Sequence, residues 1–118
     1  MTSAMEPAVR ALAQRTIDIA RLTAIKQHGP LKGGMARWRH HLREECQEAV
    51  DEMYAMEHKH NKQEQWEIRC RLLVELAQVA QLAQSMITAL YMGKEREGEE
   101  TWVEPNIQES PLSPLNPF

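Results

Sequence analysis

Residues 72–90 read LLVELAQVAQLAQSMITAL, and this stretch decides the fold. Its apolar residues, Leu72, Leu73, Val74, Leu76, Ala77, Val79, Ala80, Leu82, Ala83, Met86, Ile87, Ala89 and Leu90, do not alternate as in a half-buried strand. At 100° per residue they cover much of a helix circumference. A helix that is apolar on more than one side must be covered on more than one side. The whole helix is expected from about Glu64 to Met92, with Gly93 as its stop.

Two further helices precede it. From about Met35 to His58, the residues Met35, Trp38, Leu42, Cys46, Ala49, Val50, Met53 and Met56 fall on one stripe about 120° wide, which predicts a core-facing surface. Met53 and Met56 read there as flexible core filler. The polar interval from His58 to Lys62 suits a short connection, so the third helix returns antiparallel to the second, with His58 and His60 exposed in the turn. From about Glu6 to His28, Pro7 suits a first turn. Val9, Leu12, Ala13, Ile17, Ala20 and Ala24 recur at helical spacing, and Gly29-Pro30 ends the run. Between these helices Gly29-Pro30-Leu31-Lys32-Gly33-Gly34 reads as a loop, without the spacing of a phosphate-binding glycine motif. The fold class is therefore all-α, an antiparallel bundle of three main helices. Three helices give too little cover for residues 72–90, so a homodimer or higher homo-oligomer is expected to complete the bundle.

At 118 residues the chain is one domain, and its composition, 42% hydrophobic with 5% aromatic, is thin for a β-sandwich core. No uninterrupted apolar run approaches about 18 residues, and the N-terminus lacks a secretory pattern, so a cytoplasmic protein with no membrane partner is expected. Cys46 and Cys70 stand apart with no CxxC, which indicates neither a disulfide framework nor a zinc site. Fourteen Lys and Arg against 17 Asp and Glu give a charge of −3, which argues against a duplex-DNA binder. Residues 94–118 hold six of the acids and only Lys94 and Arg96, leaving 11 acids and 12 bases in residues 1–93. With Pro105, Pro111, Pro114 and Pro117 in the same segment, the expectation is a helical domain over 1–93 and an acidic, Pro-rich, mostly disordered tail over 94–118.

The densest acidic cluster is Glu44-Glu45-Cys46-Gln47-Glu48, followed by Asp51 and Glu52. With Leu42 at zero on the helical wheel, Glu45, Glu48 and Glu52 lie at about −60°, −120° and −80°, flanking the apolar stripe. Carboxylates so close repel one another, and a hard divalent cation such as magnesium relieves the repulsion with oxygen ligation. The alternative is a solvated acidic face paired with Arg39, Arg43 and Lys59. Glu75 is an acid within the apolar run, costly unless it has a cationic partner, a metal or an exit to water. Antiparallel packing would bring it to the Glu44–Glu48 cluster, while an ion pair with Arg71 at i, i+4 competes. The adjacent His40 and His41 point about 100° apart and do not chelate jointly.

The pattern Glu44-Glu45-x-x-Glu48, followed on the next helix by Glu75-x-x-Gln78, resembles the EExxE…ExxD signature of MazG-like, all-α nucleoside triphosphate pyrophosphohydrolases. Trp38-Arg39-His40-His41-Leu42-Arg43 and Val74-Glu75-Leu76-Ala77 add to the likeness, which covers about residues 25–92. The resemblance implies Mg2+ held by Glu44, Glu45, Glu48, Glu75 and Gln78, with Glu45 and Glu48 as catalytic carboxylates. It also implies hydrolysis of a (deoxy)nucleoside triphosphate to monophosphate and pyrophosphate. Lys32, Lys94 and Arg96 are candidate phosphate contacts, and Trp38 is a candidate base-stacking residue whose place on the apolar stripe equally suits the core. The sequence departs from the signature at Gln78, where Asp is usual; an amide oxygen can ligate but brings no charge and cannot act as a base. A catalytically silent helical interaction protein with a docking tail is thus the alternative. Nucleic-acid binding through Arg37, Arg39, His40, His41 and Arg43 is disfavoured by the acids that follow them.

Overall fold

Glycines and one asparagine punctuate the chain into its elements. The computed structural model describes residues 5–58 and 60–106, in the order α1 (Glu6–His28), β1 (Leu31–Lys32), α2 (Met35–Glu57), α3 (Lys62–Met92) and β2 (Glu100–Thr101). Pro7 occupies the first turn of α1, and Gly29, at φ 78°, ends it with its N–H on the Ile25 carbonyl. The third helix begins two residues before the expected Glu64. The reason is Asn61, whose side chain accepts the Glu64 N–H at 2.8 Å as an N-cap. At the other end Gly93 is left-handed, and Lys94 N–H to Ala89 O (2.8 Å) and Gly93 N–H to Leu90 O (3.2 Å) close a Schellman turn.

The architecture is an all-α bundle with both α1 and α2 packed on α3. Trp38 of α2 meets Leu82, Met86 and Ala89 of α3 in the buried core. The antiparallel return follows from the short connection, and His60 fastens it. One ring nitrogen of His60 lies 2.6 Å from Ala55 O and the other 3.1 Å from a Glu64 oxygen. His58 is exposed as expected, but His60 is half-buried, because it bridges the end of one helix and the start of the next.

Three expectations change. The stripe predicted to face the core from α2 is largely outward: Met35, Val50, Met53 and Met56 are exposed, as is Cys46, and only Trp38 and Ala49 are buried. The seam on α3 runs instead through Trp38, Leu42, Glu45, Ala49 and Glu52, rotated about 50° toward the acidic flank. Polar side chains occupy the seam because α3 presents polar partners there, including Arg71, whose Nε donates to Glu52 at 3.1 Å. Arg71, the competing partner for Glu75, is engaged in this inter-helix bond instead.

The second change is at 29–34, where β1 pairs antiparallel with β2, Leu31 opposite Thr101 and Lys32 opposite Glu100. Gly33 N–H adds a 2.7 Å bond to Glu99 O, and Gly34 N–H one of 3.0 Å to Glu95 O. A Cβ on Gly33 would strike the Arg96 carbonyl oxygen, so only glycine lets the two backbones approach. Residues 94–106, grouped with the tail by composition, are thus tied to the helical body, and Thr101 is buried; the expectation for 107–118 lies outside the described residues. Third, α3 contains an 18-residue window of mean hydropathy 1.2, apolar enough by length and composition to cross a membrane although no uninterrupted apolar run is that long.

Candidate active site

Glu45 and Glu75 are each 15 residues from His60, one before the turn and one after it. At 1.5 Å rise per residue, antiparallel helices that start from one turn bring such positions level, about 22 Å along the hairpin. Glu48, one turn on from Glu45 along the same flank of α2, joins them. One oxygen from each of Glu45, Glu48 and Glu75 lies within 4.8 Å of the others, with Glu45 and Glu75 half-buried and Glu48 exposed.

The electrostatics follow from that crowding. Burial first, then the hydrogen bond that protonated Glu75 donates to Glu48 and the charges of Glu48, Glu45 and Glu52, push the Glu75 carboxyl up from 4.5 to about 7. Two carboxyl groups that share a hydrogen bond need one proton between them. Glu45 is raised as well, chiefly by burial and next by Glu48, against the opposing effect of His41, whose Nε2 is 3.7 Å from Glu45 Oε1. The donor set suits a hard cation: three carboxylates, with Gln78 lining the same cavity.

The carboxylates open into a cavity of about 420 Å³, of the size that small-molecule sites have. Of the residues singled out from the sequence, Glu45, Glu48, Glu75, Gln78, Lys32 and Trp38 line it. Glu44 does not; it is exposed and paired with His40 Nε2 at 3.0 Å. Lys94 and Arg96 also lie off the cavity, since the turn after Gly93 uses their backbones to cap α3 and to receive Glu99 N–H. Trp38 is both wall and core: it is 6% exposed, and its indole N–H donates to Lys32 O at 2.9 Å.

Arg21 and His28 were not singled out from the sequence, and Arg37 and His41 entered it as nucleic-acid candidates, not as residues of this cavity. Arg21, only 4% exposed, donates through Nη1 to Asp18 at 2.9 Å and through Nη2 to the Gln84 amide oxygen. Burial lowers its pKa while Asp18 opposes the shift. Asp18-x-x-Arg21 amid the apolar Ile17, Ala20 and Ala24 was the available signal. His28, Arg37 and His41 stand around the same cavity, and Arg37 pairs with Glu97 at 3.0 Å. No model of a known family, no curated protein and no solved structure matches this chain.

Proposed function

We propose that this chain is a cytoplasmic, MazG-like nucleoside triphosphate pyrophosphohydrolase that depends on Mg2+. The observation that carries this reading is the meeting of Glu45, Glu48 and Glu75, one oxygen of each within 4.8 Å of the others, at the wall of a cavity that also holds cationic side chains. Glu45, Glu48 and Glu75 would hold the ion, with Gln78 O beside them. A bound divalent cation supplies charge neutralisation to the triphosphate oxygens and lowers the pKa of a coordinated water. Lys32 and Arg37 balance phosphate charge at the cavity wall. Glu45, whose proton affinity burial has already raised, accepts the proton of the attacking water. The water oxygen bonds to the α-phosphorus, the bond to the bridging oxygen breaks, and pyrophosphate leaves with that electron pair.

A homodimer accompanies this reading. Leu73, Leu76, Ile87 and Leu90 are 47%, 43%, 53% and 55% exposed, and with Ala80 and Ala83 they recur at three- and four-residue steps, the a and d pattern of paired helices. This stripe lies about 180° around α3 from the face that packs on α1 and α2. A second copy, pairing α3 with α3 about a two-fold axis, covers it.

One arrangement favours the silent interaction protein as second reading: Glu44 is engaged by His40 and Gln78 carries no charge, leaving three carboxylates where the signature has five ligands. Pyrophosphate release from a panel of ribo- and deoxynucleoside triphosphates with Mg2+ decides between the two. Metal-dependent turnover supports the hydrolase. No turnover on any substrate, with a thermal transition indifferent to Mg2+, supports the silent form.

A further inference from the structure

Farther along α3 from Glu75, by about 9 and 15 Å of helix rise, Gln81 and Ser85 line the same cavity, facing Arg21 of α1 and Thr101 of β2. All four polar side chains are more than nine-tenths buried: Gln81 and Ser85 at 7% exposure, Arg21 at 4% and Thr101 at 2%. Ser85 Oγ donates to Gln81 O at 2.9 Å, and the Arg21 guanidinium tips are taken by Asp18 and Gln84. Two polar atoms are left over. Arg21 Nε and Thr101 Oγ1 are buried with no hydrogen-bond partner. A fold accepts that cost where a ligand later supplies the missing bond, and most buried polar groups are otherwise satisfied.

The walls around this polar group are apolar, formed by Trp38, Leu82 and Val103. Apolar walls with a hydrogen-bonding end suit a flat heterocycle whose rim carries donors and acceptors. We infer that this end of the cavity is a nucleobase-recognition subsite and that Thr101, delivered by the short strand β2, is its specificity-determining residue. The inference rests on the nucleotide reading of the carboxylate site and deepens it. Arg21 Nε–H is a donor only, so the accepted base presents an acceptor toward it. The Thr101 hydroxyl both donates and accepts, and its side chain lines the cavity. Strand β2 is held by its pairing to β1 and by the glycine-permitted approach at Gly33, so the segment after α3 belongs to the ligand site.

The test is Thr101→Val, which keeps the shape and removes the hydroxyl. Dissociation constants are measured by calorimetry with Mg2+ for the non-hydrolysable α,β-imido analogues of the four deoxynucleoside triphosphates and for deoxyribose triphosphate, which has no base. The variant is expected to bind the best-bound base about tenfold more weakly and deoxyribose triphosphate unchanged, and to melt no lower than the wild type because an orphaned hydroxyl is gone. Thr101→Ser, which keeps the hydroxyl, should retain the wild-type ranking, and it carries the test if the valine variant does not fold. Unchanged affinity for every base, or equal weakening for the base-less compound, overturns the subsite even if hydrolysis is observed. The expected pattern without pyrophosphate release overturns the hydrolase alone, and a wild type that binds no nucleotide overturns both.

Discussion

Replacing Glu75 with Gln removes one charge from the carboxylate cluster while keeping its shape, and the response must depend on pH with a definite sign. In the folded chain Glu75 is raised from 4.5 to about 7. Folding therefore keeps its proton on, and the folded state is favoured least where that proton must leave. Below about pH 4.5 the group is protonated in both states and costs nothing. Between 4.5 and 7 stability falls as pH rises, and above 7 the full cost is present. Two unit charges at 4.8 Å, the outer limit of the oxygen separations in this cluster, repel by about 3.5 kcal/mol at an effective dielectric of about 20 and about 0.9 kcal/mol in bulk water. Because the cluster opens on a solvent-accessible cavity, the relief from Glu75→Gln is about 1–2 kcal/mol. At about 4–8 °C per kcal/mol for a domain of this size, the variant should melt about 4–16 °C above the wild type near pH 8 without metal, and level with it near pH 4.5. Differential scanning calorimetry at the two pH values reads this directly. With Mg2+ the order narrows or reverses, since the wild type gains binding energy that the variant has lost. A variant no more stable than the wild type near pH 8, or stabilised equally at both pH values, would refute the electrostatic account of the cluster.

Three other perturbations probe separate parts of the structure. Gly33→Ala drives a Cβ into the Arg96 carbonyl oxygen and should destabilise the fold by about 1–3 kcal/mol, with faster hydrogen exchange at Gly33, Gly34 and Gly98; an unchanged melting temperature would mean that β1 and β2 do not clasp. Ile87→Lys with Leu90→Lys charges the outer stripe of α3 and should reduce the mass measured by light scattering to that of one chain, 13.6 kDa, whereas a wild type already at that mass contradicts the dimer. His60 is raised above 6.5, first by its hydrogen bond to Ala55 O and then by Glu64, so its contribution is complete below about 6.5 and fades as pH rises through the higher folded value. His60→Gln should flatten that part of the stability profile, and an identical profile in both proteins would deny the His60 bridge any role.

Much of the fold was legible because the chain is punctuated by residues with one structural use. Gly29-Pro30, Gly33-Gly34 and Gly93 cannot continue a helix cheaply, and each helix boundary they imply is observed within about two residues. The level of Glu45 with Glu75 was legible too, because a short antiparallel connection leaves little freedom of register. What α2 presents to α3 was not. Periodicity sees apolar side chains, and two of the five residues of this seam are Glu45 and Glu52, stabilised by access to the cavity and by Arg71. The clasp of β1 on β2 was invisible for a different reason: a ladder two residues long has no alternation to detect, and its clearest trace was the pair Gly33-Gly34. Arg21 and Thr101 were missed because their place depends on segments far apart in sequence. Arg21 carried only the Asp18-x-x-Arg21 spacing among apolar residues, and Thr101 is not unusual where it stands in the chain.

In the proposed hydrolysis Glu45, Glu48 and Glu75 direct water to the α-phosphorus of a nucleoside triphosphate. Turnover with Mg2+ in water enriched in heavy oxygen, followed by mass spectrometry of both products, tests it most directly. The label is expected in the nucleoside monophosphate and not in pyrophosphate, with loss of the reaction in Glu45→Gln. Label in pyrophosphate or orthophosphate, or turnover unaffected by Glu45→Gln, would contradict it.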